Sequence, residues 1–302
     1  MNAEMLPSTL FSAAPHWKWL IIWYFFIGGL AGGTFFLAAL LDLVGDVRDR
    51  ALARLGYLIA FPAVLVCGLL LIVDLGRPSR FWHMLIQSNT GWPMFKAYSP
   101  MSLGAWALLV FGFFAFLAFL AALGDRGRAG GRWRIRLRPP GALGALVAVG
   151  GGIGGLFLSG YTGLLLAATN RPIWSDTTLL GVSFLISAAS TSSALLIVLG
   201  RRLGGVYALR RLARFEVIVM VLELIALVAL VVSLGPLARA WLSVWGVLLV
   251  VGVAGLGILV PLVLHWRGGW RAAVAGGVLV LVGGFLFRVV IVLSSEHLGR
   301  TI

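Results

Sequence analysis

Long apolar runs separated by short polar gaps dominate the chain. Eight of these runs reach the roughly 20 residues that a helix needs to cross the hydrocarbon core of a bilayer. They cover residues 19–41, 57–75, 101–123, 142–168, 179–199, 215–234, 241–264 and 272–293. The pattern therefore predicts an all-α integral membrane protein with eight transmembrane helices.

The composition agrees with a membrane protein and excludes an ordinary soluble domain. Of the 302 residues, 61% are hydrophobic and 11% are charged, whereas a soluble domain carries about a quarter charged residues. The formal net charge of +14 does not indicate nucleic-acid binding, because the arginines fall in the gaps between apolar runs and not on a folded soluble surface. We expect a lipid membrane around the chain and no nucleic acid among its partners.

The distribution of arginine and lysine predicts the orientation of the helices. Sixteen of these residues lie in or beside the first, third, fifth and seventh connections, and seven lie on the other side. By the positive-inside rule the odd connections are cytoplasmic, and both termini are extracytoplasmic. We expect a single domain over 1–302, with one four-helix bundle at roughly 15–170 and a second at roughly 178–295.

One cysteine, Cys67, and four histidines limit the metal chemistry of the chain. An iron–sulfur cluster typically needs four thiolates, and a structural zinc site needs four Cys or His ligands close together. We therefore predict no metal site. A haem-bearing cytochrome b anchor is one alternative function, but it needs facing histidines in the membrane core. The four histidines of this chain all lie near the ends of the predicted helices: His16, His83, His265 and His297.

The second apolar run stops at a carboxylate on the predicted outer side, in the segment VDLGRPSRFW at 73–82. One interpretation is a plain helix stop at its glycine. The other is a site, because a tyrosine, an arginine and a histidine are predicted near the same end. A carboxylate, a phenol and an imidazole supply the hydrogen bonds and the proton transfers that a quinone headgroup needs, although a tyrosine there is also typical of the membrane interface. We predict catalytic roles for Asp74, Tyr161 and His16, and quinone binding by His16, Tyr161, Asp74, Arg77 and Arg171.

Three charged residues are predicted inside the apolar runs. Glu216 and Glu223 lie seven residues apart, which places both carboxylates on one helix face, and Arg288 lies well inside the last run. Charged side chains are costly in hydrocarbon, so they are paired or functional. They form either a buried ion pair that fixes helix register or a proton path from the cytoplasm to the outer site. A secondary transporter is a further alternative, but no inverted repeat of the transporter kind is found.

Four motifs stand out along the chain: WYFFIGGLAGGTFF at 23–36, DLGRP at 74–78 with the FW pair that follows, SPMSLGAW at 99–106, and YTG at 161–163 followed by PIW at 172–174. Together they resemble the NrfD/PsrC family, the membrane subunits of polysulfide-reductase-like complexes. The last two helices are similar to the family mainly through Arg288 and the glycine pattern.

The resemblance implies an eight-helix, haem-free subunit of a respiratory oxidoreductase in the bacterial cytoplasmic membrane. Such a subunit exchanges electrons between menaquinone or ubiquinone and a four-cluster ferredoxin-like iron–sulfur subunit on its outer face, which serves a molybdopterin catalytic subunit. Because this chain lacks a cysteine cluster, a lipid-soluble quinone is the carrier it needs. The family's quinone-site and proton-path positions match Asp74, Tyr161, Glu216, Glu223 and Arg288, while the stretch containing His16 varies in the family.

Overall fold

A computed structural model of the chain describes residues 17–46, 49–124, 141–169, 171–201 and 206–298. Within these ranges the secondary structure is helical and no β-strand is formed. Eight helices are long and apolar enough to cross a membrane. The predicted class, an all-helical membrane protein with eight spans, is therefore confirmed.

We label the eight spanning helices α1 to α8. They are α1 Trp19–Leu43, α2 Arg50–Asp74, α3 Pro100–Gly124, α4 Ala142–Ala167, α5 Leu180–Gly200, α6 Val206–Ser233, α7 Val244–Arg267 and α8 Trp270–Leu298. Two short 3₁₀ helices, Pro78–Met84 and Gly235–Trp241, follow α2 and α6. The central part of α7, Leu248–Leu259, is π-helical.

Two helices begin earlier than their apolar runs predict. Helix α2 begins at Arg50 instead of residue 57, and α6 begins at Val206 instead of residue 215. The additional turns carry arginines such as Arg54 and Arg210. Long arginine stems can lie along apolar surface while the charged ends reach water, so such turns remain helical. A rule that counts apolar residues does not detect them.

The helices form two groups of four that meet along α5. In the first group, α1 and α3 each pack on both α2 and α4. In the second group, α5 packs on α6 and α8, and α7 packs mainly on α8. The groups are joined because α5 also packs on α1 and α4. Helix α1 consequently lies at the centre of the molecule.

The close approach of α1 and α4 depends on a pair of facing glycines. A Cβ atom on Gly32 would overlap the backbone carbonyl of Gly155, and a Cβ atom on Gly155 would overlap the carbonyl of Gly32. Small residues at such crossings let membrane helices pack backbone against backbone. A larger residue at either position would separate the two helices that hold the first group together.

Three tryptophans near one end of the bundle, Trp17, Trp174 and Trp241, are buried, although their positions in the sequence are typical of interface anchors. Trp174 is fully buried, stacks on Trp17 with ring centroids 5.4 Å apart, and donates from Nε1 to the carbonyl oxygen of Ile291 at 2.8 Å. Trp241 donates from Nε1 to Ser294 Oγ at 3.1 Å. A buried indole N–H needs such an acceptor. These contacts gather the start of α1, the loop before α5 and the end of α8 at one face, which we call the outer face after the predicted orientation.

Candidate functional site

A cavity of about 790 Å³ lies between α1, α2, α3 and α4 at the outer face. We call it the outer cavity; its wall includes Tyr24, Gly68, Asp74, Gly104 and Tyr161, and most of its other residues are aliphatic or aromatic. Pockets for small molecules typically measure about 300–1,000 Å³ and are mostly apolar with a few polar groups. The outer cavity therefore has the size and the character of a site for an amphiphilic molecule.

Asp74 is the last residue of α2 and is an exposed residue of the cavity wall. The last helical hydrogen bond runs from the N–H of Leu75 to the carbonyl of Leu71 at 3.1 Å. The helix ends here because Gly76 follows with φ of +69°. Glycine is the residue that adopts this left-handed conformation without strain. The segment is therefore a helix stop, and the stop leaves a carboxylate at the cavity.

Tyr161 is a buried residue of α4, and its phenol is held by two helices. Its ring stacks on Phe157 with centroids 5.7 Å apart, and its hydroxyl donates to the carbonyl oxygen of Pro100 at the start of α3. One turn further along α3, Gly104 leaves the space that the ring occupies, since a Cβ atom there would overlap the phenol. The hydroxyl proton of Tyr161 is therefore already used in the hydrogen bond to Pro100. The hydroxyl oxygen still has a lone pair that can accept a hydrogen bond from another group.

Two predicted binding residues lie away from the cavity wall. Arg77 is exposed in the turn before the 3₁₀ helix Pro78–Met84 and is not a wall residue. Arg171 is buried, with its guanidinium 5.8 Å from the ring centroid of Trp174, and is not a wall residue either. His16 lies outside the described residues. The structure therefore brings Asp74 and Tyr161 to one cavity and leaves Arg77 and Arg171 outside it.

Tyr24 is a wall residue that sequence reasoning missed. It is buried on α1 and lines the same cavity as Tyr161. Its neighbours in the chain are aromatic, so its polar group did not stand out. The sequence offered no signal that singled out Tyr24.

A second polar cluster begins between α6 and α7. His265 Nε2 lies 3.0 Å from Glu216 Oε2, and both side chains are buried. His265 Nδ1 lies 3.0 Å from the carbonyl oxygen of Pro261. Because a carbonyl only accepts, Nδ1 carries a hydrogen, so a hydrogen bond between Nε2 and the facing carboxyl requires a proton on one of these two groups. The sequence placed His265 near a helix end but gave no sign that it lies beside Glu216.

Arg288 lies on α8 in the interior, where it joins three helices. It is fully buried and donates from Nε to the carbonyl of Phe25 at 3.3 Å. Its Nη1 donates to Ser187 Oγ at 3.1 Å and to the carbonyl of Gly284 at 2.7 Å. The guanidinium also lies 5.3 Å from the ring centroid of Phe184. These contacts give the Nε and Nη1 donors of Arg288 hydrogen-bond acceptors inside the bundle.

Glu223 lies two turns along α6 from Glu216, roughly 10 Å at 1.5 Å per residue. It is buried, faces Ser187 and Ser190 of α5, and interacts electrostatically with Arg288. Two buried atoms here, Ser190 Oγ and Arg288 Nη2, have no hydrogen-bond partner among the described residues. Buried polar atoms of this kind are normally satisfied by ordered water. We therefore expect this cluster, in the middle of the second group, to hold ordered water that hydrogen-bonds these atoms.

Comparison with known proteins identifies the family of the chain. The family model described as "Polysulphide reductase, NrfD" matches residues 10–297. The chain belongs to the NrfD family. The resemblance drawn from the four motifs is thereby confirmed, and the match continues through α7 and most of α8, where the sequence offered little more than Arg288 and a glycine pattern.

Several curated proteins of the same kind are similar to this NrfD-family protein. One polypeptide of the polysulfide reductase of Wolinella succinogenes is 29% identical over 276 residues, which is 82% of each protein. The protein named NrfD homolog of Haemophilus influenzae is 26% identical over 273 residues, which is 82% of this chain and 83% of the relative. One subunit of the selenate reductase of Mesobacillus selenatarsenatis is 29% identical over 86 residues, 28% of this chain and 20% of the relative.

Proposed function

We propose that the protein is the quinone-reactive membrane subunit of a reductase complex. The observation that carries this proposal is the outer cavity, in which Asp74 and Tyr161 lie on one mostly apolar wall. The names of two relatives, which belong to a polysulfide reductase and a selenate reductase, support membership of such a complex. We name quinone as the electron carrier because the sequence has a single cysteine, and therefore no cluster of thiolates that could hold an iron–sulfur cluster.

The residues of the outer cavity fit menaquinone or ubiquinone. An apolar wall suits the ring and the isoprenoid tail, and the few polar groups suit the two ring oxygens. When bound, the quinone supplies a two-electron, two-proton redox reaction. Asp74, which is exposed on the wall, exchanges a proton with water. Tyr161, whose own proton is engaged by Pro100, accepts a hydrogen bond from a ring hydroxyl and orients the ring.

The surface beside the cavity is suited to a docked electron-transfer partner. Phe81 and Met84 of the 3₁₀ helix Pro78–Met84 belong to the cavity wall. In the segment that follows, Trp92, Phe95 and Tyr98 are strongly exposed aromatic residues, and exposed apolar patches mark interaction sites. We place the iron–sulfur subunit here and the molybdopterin subunit beyond it, so that electrons pass between cavity and cluster over a short distance.

The polar cluster of the second group is the proposed proton path. Glu216 and His265 hold one proton near the inner end, and Glu223 lies roughly 10 Å further along α6. Glu223 in turn interacts electrostatically with Arg288, whose Nε reaches the carbonyl of Phe25, the neighbour of Tyr24 in the outer cavity. Charged residues inside a membrane protein are typical of proton relays. The path is proposed to connect the inner face to the outer cavity and to allow proton translocation during turnover.

Replacing Asp74 tests the proposal in the assembled complex. Asp74→Asn keeps the size of the side chain and removes its proton exchange, and general acid–base catalysis contributes about 10²–10⁴-fold. We therefore expect quinone-linked turnover to fall at least about 100-fold. Size-exclusion chromatography should show that the complex still assembles. Asp46→Asn, the same change at an exposed inner-face residue, is the control and keeps its turnover. Wild-type turnover in Asp74→Asn would remove Asp74 from the mechanism.

A further inference from the structure

A second cavity lies at the opposite end of the same four helices. It measures about 230 Å³ and lies between the last turns of α1 and α3 and the first turns of α2 and α4. We call it the inner cavity. Its polar wall residues are Asp42, Arg50, Arg54 and Tyr57, which come from α1 and α2. The residues from α3 and α4 are all apolar, Leu117 and Val147 among them, so one side of the cavity is polar and the other is apolar.

The inner cavity is separate from the outer one. Arg50 and Asp74 are the first and last residues of α2, which places them roughly 36 Å apart at 1.5 Å per residue. Between the cavities, the ring centroid of Phe61 lies 5.2 Å from those of Phe116 and Phe119. These packed rings form a barrier across the groove between α2 and α3. A ligand of the inner cavity therefore does not reach Asp74.

We propose that the inner cavity binds the phosphate headgroup of an anionic phospholipid. Two arginines and one aspartate give its wall a formal net charge of +1. The guanidinium fork suits phosphate oxygens. Arg50 is also the first residue of α2, where backbone N–H groups and the helix dipole favour an anion.

The wall of the inner cavity has one polar and one apolar side, and this indicates a lipid and not a free anion or a second quinone. The apolar side, with Leu143 exposed beside Val147, offers a surface for acyl chains that inorganic phosphate would leave unused. A quinone ring is neutral and gives the arginines no opposite charge. Basic pockets between membrane helices on the arginine-rich side are known to take anionic lipid headgroups. This inference does not depend on the proposed function of the outer cavity.

A lipid-retention experiment tests whether the arginines of the inner cavity bind the phospholipid. The full protein is purified in mild detergent, and its bound phospholipid is measured by native mass spectrometry for wild type and for Arg50→Gln/Arg54→Gln. The control is Arg267→Gln/Arg271→Gln, which removes two exposed arginines, one at the end of α7 and one at the start of α8. We expect the wild type and the control to retain anionic phospholipid, and the Arg50/Arg54 variant to lose at least about tenfold. Equal retention in that variant would overturn the proposal.

The cavity itself is tested by filling it. Ala121→Phe places a ring in the space from the apolar side and leaves both arginines unchanged, so we expect the same loss of lipid. Retained lipid in Ala121→Phe, or full displacement of lipid from the wild type by added inorganic phosphate, would contradict a phospholipid site. Circular dichroism is measured in parallel, and an unchanged helical spectrum shows that each variant is folded.

Discussion

Replacing Tyr161 by phenylalanine removes a single oxygen atom from the outer cavity. The ring stays stacked on Phe157 and stays in the space that Gly104 leaves for it. The carbonyl of Pro100 loses the phenol as a donor but keeps its partner within helix α3. Hydrogen bonds between residues inside membrane proteins average about 0.6 kcal/mol, so we expect the variant to fold with nearly unchanged stability.

The expected effect on binding follows from one lost hydrogen bond. A hydrogen bond to the ligand contributes about 0.5–1.5 kcal/mol net, and 1.4 kcal/mol corresponds to a tenfold change in affinity. We therefore expect the Kd of a quinol analogue to rise about 2- to 12-fold in Tyr161→Phe. The oxidised analogue, which has no hydroxyl to donate, should be affected less, because the Tyr161 proton is already engaged.

The assay is a fluorescence-quenching titration of the purified protein with the two forms of one analogue. Tyr57→Phe is the matched control, since it makes the same chemical change at a phenol that donates to Asp42 in the inner cavity. Tyr57 lies roughly 26 Å from Asp74 along α2. Wild-type affinity in Tyr161→Phe, or an equal loss in Tyr57→Phe, would refute the role given to the Tyr161 oxygen.

Two further predictions concern the helix contacts at the site and the polar cluster. In Gly104→Ala the new methyl group overlaps the Tyr161 phenol, so thermal unfolding should show a loss of about 1–3 kcal/mol from overpacking. Gly68→Ala, whose Cβ atom enters open space on the same wall, should be nearly neutral. Glu216→Gln removes the carboxyl group that faces His265; quinone-linked proton uptake into liposomes should fall about tenfold or more, while analogue affinity stays unchanged.

The parts of the fold that depend on local pattern were predictable from the sequence. Runs of about 20 apolar residues sufficed for the eight spans, and the glycine after Asp74 marked the end of α2. The placement of Asp74 and Tyr161 at one end of the bundle followed from counting spans, because successive helices alternate in direction. That they line the same cavity required the packing of α2, α3 and α4, which no single segment encodes.

Other features depend on contacts between distant segments, and the sequence did not reveal them. His265 was visible only as a histidine near a helix end, since its pairing with Glu216 is decided by how α7 packs on α6. Arg171 was grouped with the quinone site by its position, but its guanidinium packs over Trp174. Side-chain direction in a loop follows from local backbone geometry and from neighbours across the fold, and neither can be read from spacing.

Photolabelling with a reactive quinone analogue tests the central claim most directly. The labelled full protein is digested, and the modified peptides are identified by mass spectrometry. We expect the labels at 61–74 of α2 and 101–113 of α3, the stretches that line the outer cavity, with protection by unmodified quinone. Labels confined to helices α5 to α8, or to the inner-cavity stretches 50–57 and 117–122, would contradict a quinone site at Asp74 and Tyr161.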